Sequence, residues 1–128
     1  WSITPGAAVF DAISMMAERG VGALPVIEAG RLVGIVSERD YARKVILQGR
    51  SSRDTPVRDI MTTQVICVAP DQTIDVAMAL MTGKHIRHLP IVEGGQVVGV
   101  ISIGDVVKSL LAEKDFVIGQ LESYIAGY

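Results

Sequence analysis

The chain has 128 residues, a formal net charge of -2, and a composition that is 49% hydrophobic but only 5% aromatic. That length buries roughly two-thirds of the unfolded surface, so one domain or two small fused halves can form without a disulfide or metal staple. The slightly acidic balance excludes general nucleic-acid binding, the single Cys67 excludes an intramolecular disulfide, and no apolar run reaches the roughly 18 residues of a membrane span.

Taken in chain order, the pattern begins with a short leading strand around Ile3. Val9, Ala12, Ile13 and Met16 then recur at the spacing of one helix face, and their methionine reads as core packing. The apolar runs Leu24–Ile27 and Leu32–Val36 flank Glu28-Ala29-Gly30, which predicts a hairpin. A second helix starts near Ser37. Gln48–Pro56 is polar and reads as a linker, followed by the lead-in Val57–Thr62 and a strand at Cys67-Val68. On that strand Cys67 is expected to be a buried small hydrophobe. Ile74, Ala77, Met78 and Met81 form the next helix face, Leu89–Val92 and Val97–Ile101 the next hairpin around Glu93-Gly94-Gly95, and a last helix starts near Ser102.

The second half repeats the first. Residues 3–46 lie over 68–111 without a gap, pairing Pro25 with Pro90, Gly34 with Gly99, Ser37 with Ser102 and Asp40 with Asp105. Each copy predicts a β-α-β-β-α unit whose exposed apolar sheet face needs a partner, so the fold class is α+β with two units related by a pseudo-twofold axis. The expected divisions are 1–56 for the first repeat with its linker, 57–114 for the second, and 115–128 for a tail whose Phe116, Leu121, Tyr124 and Ile125 could pack on the domain or on a second subunit. The lead-in of the second repeat has no counterpart before Trp1, so a short upstream stretch of the first repeat is expected to be missing.

Each repeat carries G-h-h-S-x-x-D, as Gly34-Ile35-Val36-Ser37-Glu38-Arg39-Asp40 and Gly99-Val100-Ile101-Ser102-Ile103-Gly104-Asp105. With the preceding L-P-h-h strands and the Arg58-Asp59-Ile60-Met61-Thr62 lead-in, the chain resembles a tandem pair of CBS domains, the domain named for cystathionine beta-synthase. The resemblance covers nearly the whole chain and is nearest to small stand-alone CBS-pair (Bateman) proteins. It implies a non-enzymatic sensor that binds AMP, ADP, ATP, S-adenosylmethionine or an NAD-type ligand between its repeats, with no catalytic cofactor, and a homodimer.

The motif's chemistry suits such a ligand. The serine opens a helix whose first N–H groups lack intrahelical partners and favour an anion. Its hydroxyl can donate to a phosphate, and the carboxylate one turn later can accept from a ribose diol. Ser-x-x-Asp also reads as a capping box with Asp in place of Glu, and both roles can coexist. By the family pattern each site draws its polar residues from one repeat and its adenine wall from the other. One site is expected to use Ser102 and Asp105, with Arg87 and His88 near the phosphates and Val21 and the strand near Trp1 as the wall. The other is expected to use Ser37 and Asp40, with Ile86, Ile66 and Met61-Thr62 as the wall, Gly22 and Ala23 leaving room for a bulkier extension, and Arg39 as a source of charge. The Asp105 site ranks stronger for phosphates.

Other signals are weaker. His85 and His88 lack further ligands for zinc, so no metal is expected, and nothing forms a nucleophile–base set. Arg39, Arg43, Lys44, Arg50, Arg53 and Arg58 read as a solvated basic face. The alternative function is a ligand-independent interaction module that regulates an enzyme or a redox protein. No signal peptide is visible, which with the lone thiol points to the cytoplasm, or to an organelle matrix if a targeting segment was removed.

Overall fold

A computed structural model describes residues 1–113; the expectations for 115–128 lie outside the described residues. The described residues group into two compact units, 1–70 with 90–100, and 71–89 with 101–113.

In the first unit, helix α1 (Val9–Arg19) turns Val9, Ala12 and Met16 fully inward. Burial of each large side chain contributes about 1.5–3 kcal/mol. The helix stops at Gly20, which takes a left-handed φ of 66° and donates its N–H to the Met16 carbonyl. Strands β1 (Ala23–Glu28) and β2 (Arg31–Ser37) form the expected antiparallel hairpin, with Ala23 opposite Ser37 and a bulge between Val26 and Ile27. Its turn uses two positive-φ residues, Ala29 and Gly30, the geometry that matches strand twist in a tight hairpin. The leading strand shrinks to one parallel bridge from Ile3 to Val26. On the other edge Thr62 bridges Ile35, so the 57–62 lead-in packs in this unit and buries Val57 and Ile60 in its core.

The helix after Ser37 is not regular. Helix α2 covers only Glu38–Tyr41, and Ala42–Ile46 continue it as a π-helix. The stretch 48–56, expected as a polar linker, is stitched to α1: Phe10 N–H donates to the Ser52 carbonyl at 2.9 Å and Val9 N–H to the Thr55 carbonyl at 2.8 Å. Thr55 is buried, and its hydroxyl donates to the Ser51 carbonyl at 2.6 Å. Backbone donors at a helix start need partners, and here the linker supplies them.

In the second unit, helix α3 (Ile74–Lys84) is capped by Thr73 and buries Ala77 and Met81, the inward positions of the repeat. His85 occupies its left-handed stop with φ 55°, where the first repeat has Gly20. Helix α4 (Ile103–Glu113) is α-helical throughout its eleven residues, unlike its counterpart. Strands β3 (His88–Glu93) and β4 (Gln96–Ser102), most of whose residues group with the first unit, form a two-stranded sheet across the Gly94-Gly95 turn.

The repeat extends to individual hydrogen bonds. Ile3 N–H donates to Pro25 O at 3.1 Å, and Val68 N–H to Pro90 O at 3.0 Å. Ile27 N–H reaches Ile3 O at 2.9 Å, and Val92 N–H reaches Val68 O at 2.8 Å. Glu38 N–H reaches Gly22 O at 3.0 Å, and Ile103 N–H reaches Arg87 O at 2.8 Å. Two copies of one unit are therefore present in structure as well as in sequence.

Candidate functional site

Both S-x-x-D motifs stand at the junction of a strand and a helix. In repeat 1 the Ser37 N–H donates to Asp40 Oδ2 at 2.9 Å, and Asp40 N–H donates back to Ser37 Oγ at 3.2 Å. Repeat 2 reproduces the box, with Ser102 N–H to Asp105 Oδ2 at 2.8 Å and Asp105 N–H to Ser102 Oγ at 3.1 Å. The capping reading holds for both copies.

Beyond the box the copies diverge. The Ser37 hydroxyl also donates to Asp40 Oδ2, at 3.0 Å, and Lys44 Nζ sits 3.2 Å from Asp40 Oδ1. The Ser102 hydroxyl accepts from the Asp105 N–H and makes no bond of that length to the carboxylate, and Asp105 Oδ1 has no donor among the described residues. Asp105 is exposed. The Ser102 N–H bond holds its carboxyl below the usual aspartate range, against partial desolvation, with smaller help from the Ser102 side chain and the charges of Lys108 and His88.

The sequence-predicted residues fall as follows. In the second unit the Arg87 carbonyl is bonded to Ile103 at the start of α4, while its guanidinium is exposed and forms no ion pair among the described residues. His88 is half-buried on β3 and close enough for its charge to act on Asp105. Ile86 is half-buried just past α3. In the first unit Gly22 and Ala23 lie beside Ser37, through the Glu38–Gly22 bond and the Ala23–Ser37 pairing. Arg39 is exposed. Met61 covers Gly34, Thr62 pairs with Ile35, and Ile66 is half-buried between Thr62 and Val68. Trp1 and Val21 line one cavity of about 430 Å³ with Ala23, Leu24, Pro25 and the β4 residues Val97–Val100. The sequence reading missed this β4 wall, which four consecutive residues form. Trp1 is 69% exposed and carries the Arg19 guanidinium 4.9 Å above its ring.

Two expectations need correction. Cys67 is exposed, not buried: Val68 makes the strand bridge and takes the inward side, leaving its neighbour outside. The part of the thiol that faces the protein still loses enough hydration to raise its pKa. The basic cluster is only partly a solvated face. Lys44 binds Asp40 and the Ile60 carbonyl, Arg50 binds Asp59 at 2.9 Å, and Arg53 lies 3.9 Å over the Phe10 ring. Among the described residues no cluster of His, Cys, Asp and Glu could hold a metal ion, and no helix is long and apolar enough to cross a membrane.

The CBS domain profile matches residues 1–47 and again 57–112. The chain belongs to the CBS domain family. This CBS pair is 44% identical, over 93% of its length, to the CBS domain-containing protein CBSX3, mitochondrial, of Arabidopsis thaliana, and it spans 60% of that relative. A solved protein with CBS domains from Burkholderia ambifaria superposes with a TM-score of 0.84 at 54% identity, covering 88% of this chain and 82% of the other. The CBS domain pair of protein MJ0100, solved with 5-methylthioadenosine and S-adenosyl-L-methionine, superposes with a TM-score of 0.79 at 25% identity, covering 88% and 90%.

Proposed function

We propose that this CBS pair is a non-enzymatic regulatory module that senses an adenine nucleotide, held by its second repeat. The observation that carries the reading is the uncommitted chemistry at Ser102 and Asp105. Asp105 Oδ1 has no donor among the described residues there, at the start of an eleven-residue helix and next to Arg87 and His88. Asp105 would accept from the ribose diol. Ser102, the first-turn N–H of Gly104 and the Arg87 guanidinium would meet phosphate. The adenosine compounds bound by the MJ0100 pair support the same ligand class. AMP, ATP and NAD(H) are the expected ligands, and the regulated state is a homodimer or a complex with a target enzyme or redox protein. A ligand exerts control only through unequal affinity for two states.

Thermal unfolding with AMP, ATP, NAD and S-adenosylmethionine tests this. A ligand at 100 times its dissociation constant adds about 2.7 kcal/mol, and Asp105→Asn should remove most of the gain. No shift with any of the four at millimolar concentration contradicts ligand sensing. One observation would then favour a second reading, a ligand-independent interaction module: Ile103, Val107 and Leu111 form an exposed apolar stripe along α4, at 38%, 47% and 42% exposure.

A further inference from the structure

We infer that the chain holds one adenine nucleotide, not two, because Lys44 closes the carboxylate of the first repeat and acts there as a built-in substitute for ligand. The inference rests on the function proposed above and goes beyond it in assigning Lys44 a specificity role.

A carboxylate offers about four lone-pair positions, and a ribose diol asks for one on each oxygen. Asp40 has given up both oxygens. Oδ2 accepts from the Ser37 N–H at 2.9 Å and the Ser37 hydroxyl at 3.0 Å, and Oδ1 faces the Lys44 ammonium at 3.2 Å. The Ser37 proton that would meet a phosphate is spent in the same network. Lys44 is itself held from the other side, donating to the Ile60 carbonyl at 2.9 Å. A nucleotide would have to displace the Lys44 ammonium to reach Asp40 Oδ1.

Repeat 2 keeps the serine N–H bond but lacks the lysine clamp, and Lys108 acts on Asp105 only through its charge. Ser109 stands where repeat 1 has Lys44, and its side chain is too short to span a helical turn. Asp105 accepts from the Ser102 N–H as Asp40 does from Ser37, but its Oδ1 has no donor among the described residues. The helix behind Asp40 runs four residues before turning to π geometry, whereas the helix behind Asp105 runs eleven residues as a regular α-helix. Lys44 projects from the π segment itself. Its bond to Ile60 ties that segment to the 57–62 stretch, one residue before the Met61-Thr62 pair that covers Gly34. The first repeat has thus exchanged a ligand contact for an internal strut.

Equilibrium dialysis with radiolabelled AMP, ATP, NAD and S-adenosylmethionine, each in turn, reads the stoichiometry. Wild type should saturate at one equivalent, and Asp105→Asn should abolish binding or weaken it at least about tenfold. Lys44→Met should open a second equivalent. Lys44→Gln, which keeps a donor for Ile60 without the charge, should do the same and decides the matter if the methionine variant does not fold. Two wild-type equivalents of similar affinity would overturn the inference. So would folded Lys44 variants that remain at one, or an Asp105→Asn protein that binds as tightly as wild type. No wild-type binding to any of the four would remove the functional reading itself, an outcome separate from these.

Discussion

Replacing Gly34 and Gly99 by alanine, one at a time, probes the same motif position in two different surroundings. A Cβ at Gly34 would lie 2.8 Å from Met61 Sδ and 2.9 Å from the Thr62 carbonyl oxygen. Ordinary contact requires about half an ångström more, and Thr62 is backbone rather than a side chain that can swing away. Its retreat would stretch the reciprocal bonds to Ile35, now 3.0 and 2.9 Å, beyond useful length. Two such bonds contribute about 1 kcal/mol each, and overpacking Met61 costs about 1–3 kcal/mol more. Lower chain entropy in the unfolded state returns about 0.4–1 kcal/mol. The net loss is about 2–4 kcal/mol, or a melting temperature lower by about 6–15 °C for a chain of this size. A Cβ at Gly99 meets only Ile91 Cδ1, at 3.7 Å. Gly99→Ala should therefore leave stability unchanged or raise it by up to about 1 kcal/mol. Thermal and urea unfolding followed by circular dichroism compare the pair. Melting points within about 2 °C of each other would refute the close-approach argument.

Three further outcomes follow from single positions. His85→Gly should raise stability by about 0.5–1 kcal/mol in urea unfolding, because His85 holds a left-handed φ of 55° that glycine adopts freely; a loss would mean that its side chain contributes more than the strain costs. Asp105 has a lowered pKa, so the stability that it contributes is complete above the unfolded aspartate value of about 4 and is lost as pH falls through its lower folded value. The stability gap between wild type and Asp105→Asn should accordingly shrink on acidification below about pH 4, and a gap that widens would contradict the assignment. Cys67 should alkylate in the folded protein, yet more slowly at neutral pH than a free small-molecule thiol, since it is exposed but its thiol is raised by partial desolvation; complete protection until unfolding would place it inside.

Both helix faces, both hairpins and the two S-x-x-D junctions were legible in the sequence because each rests on local spacing that the second copy repeats. The chain register alone pairs Ser37 with Ser102 and Asp40 with Asp105. What escaped depends on contacts between residues far apart in sequence or on one side of a pair of neighbours. Lys44 reads as one more surface cation until its partner carbonyl, sixteen residues on at Ile60, is seen. Cys67 and Val68 are both apolar enough for the core, and only the bridge to Ile91 decides which of them turns inward. The polar composition of 48–56 suggested a free tether, but its carbonyls serve the unpartnered N–H groups of α1. The change from α to π geometry at Ala42 carries no residue signature that we can identify.

The most direct test of nucleotide sensing is an amide-resolved NMR titration of isotopically labelled protein with AMP, ATP, NAD and S-adenosylmethionine. The account predicts saturable shifts at Ser102, Ile103, Gly104 and Asp105 with at least one ligand, absent in Asp105→Asn, while Ser37 and Asp40 stay in place. Shifts centred on Ser37–Asp40 with the second motif unmoved, or no saturable shift with any of the four, would contradict it.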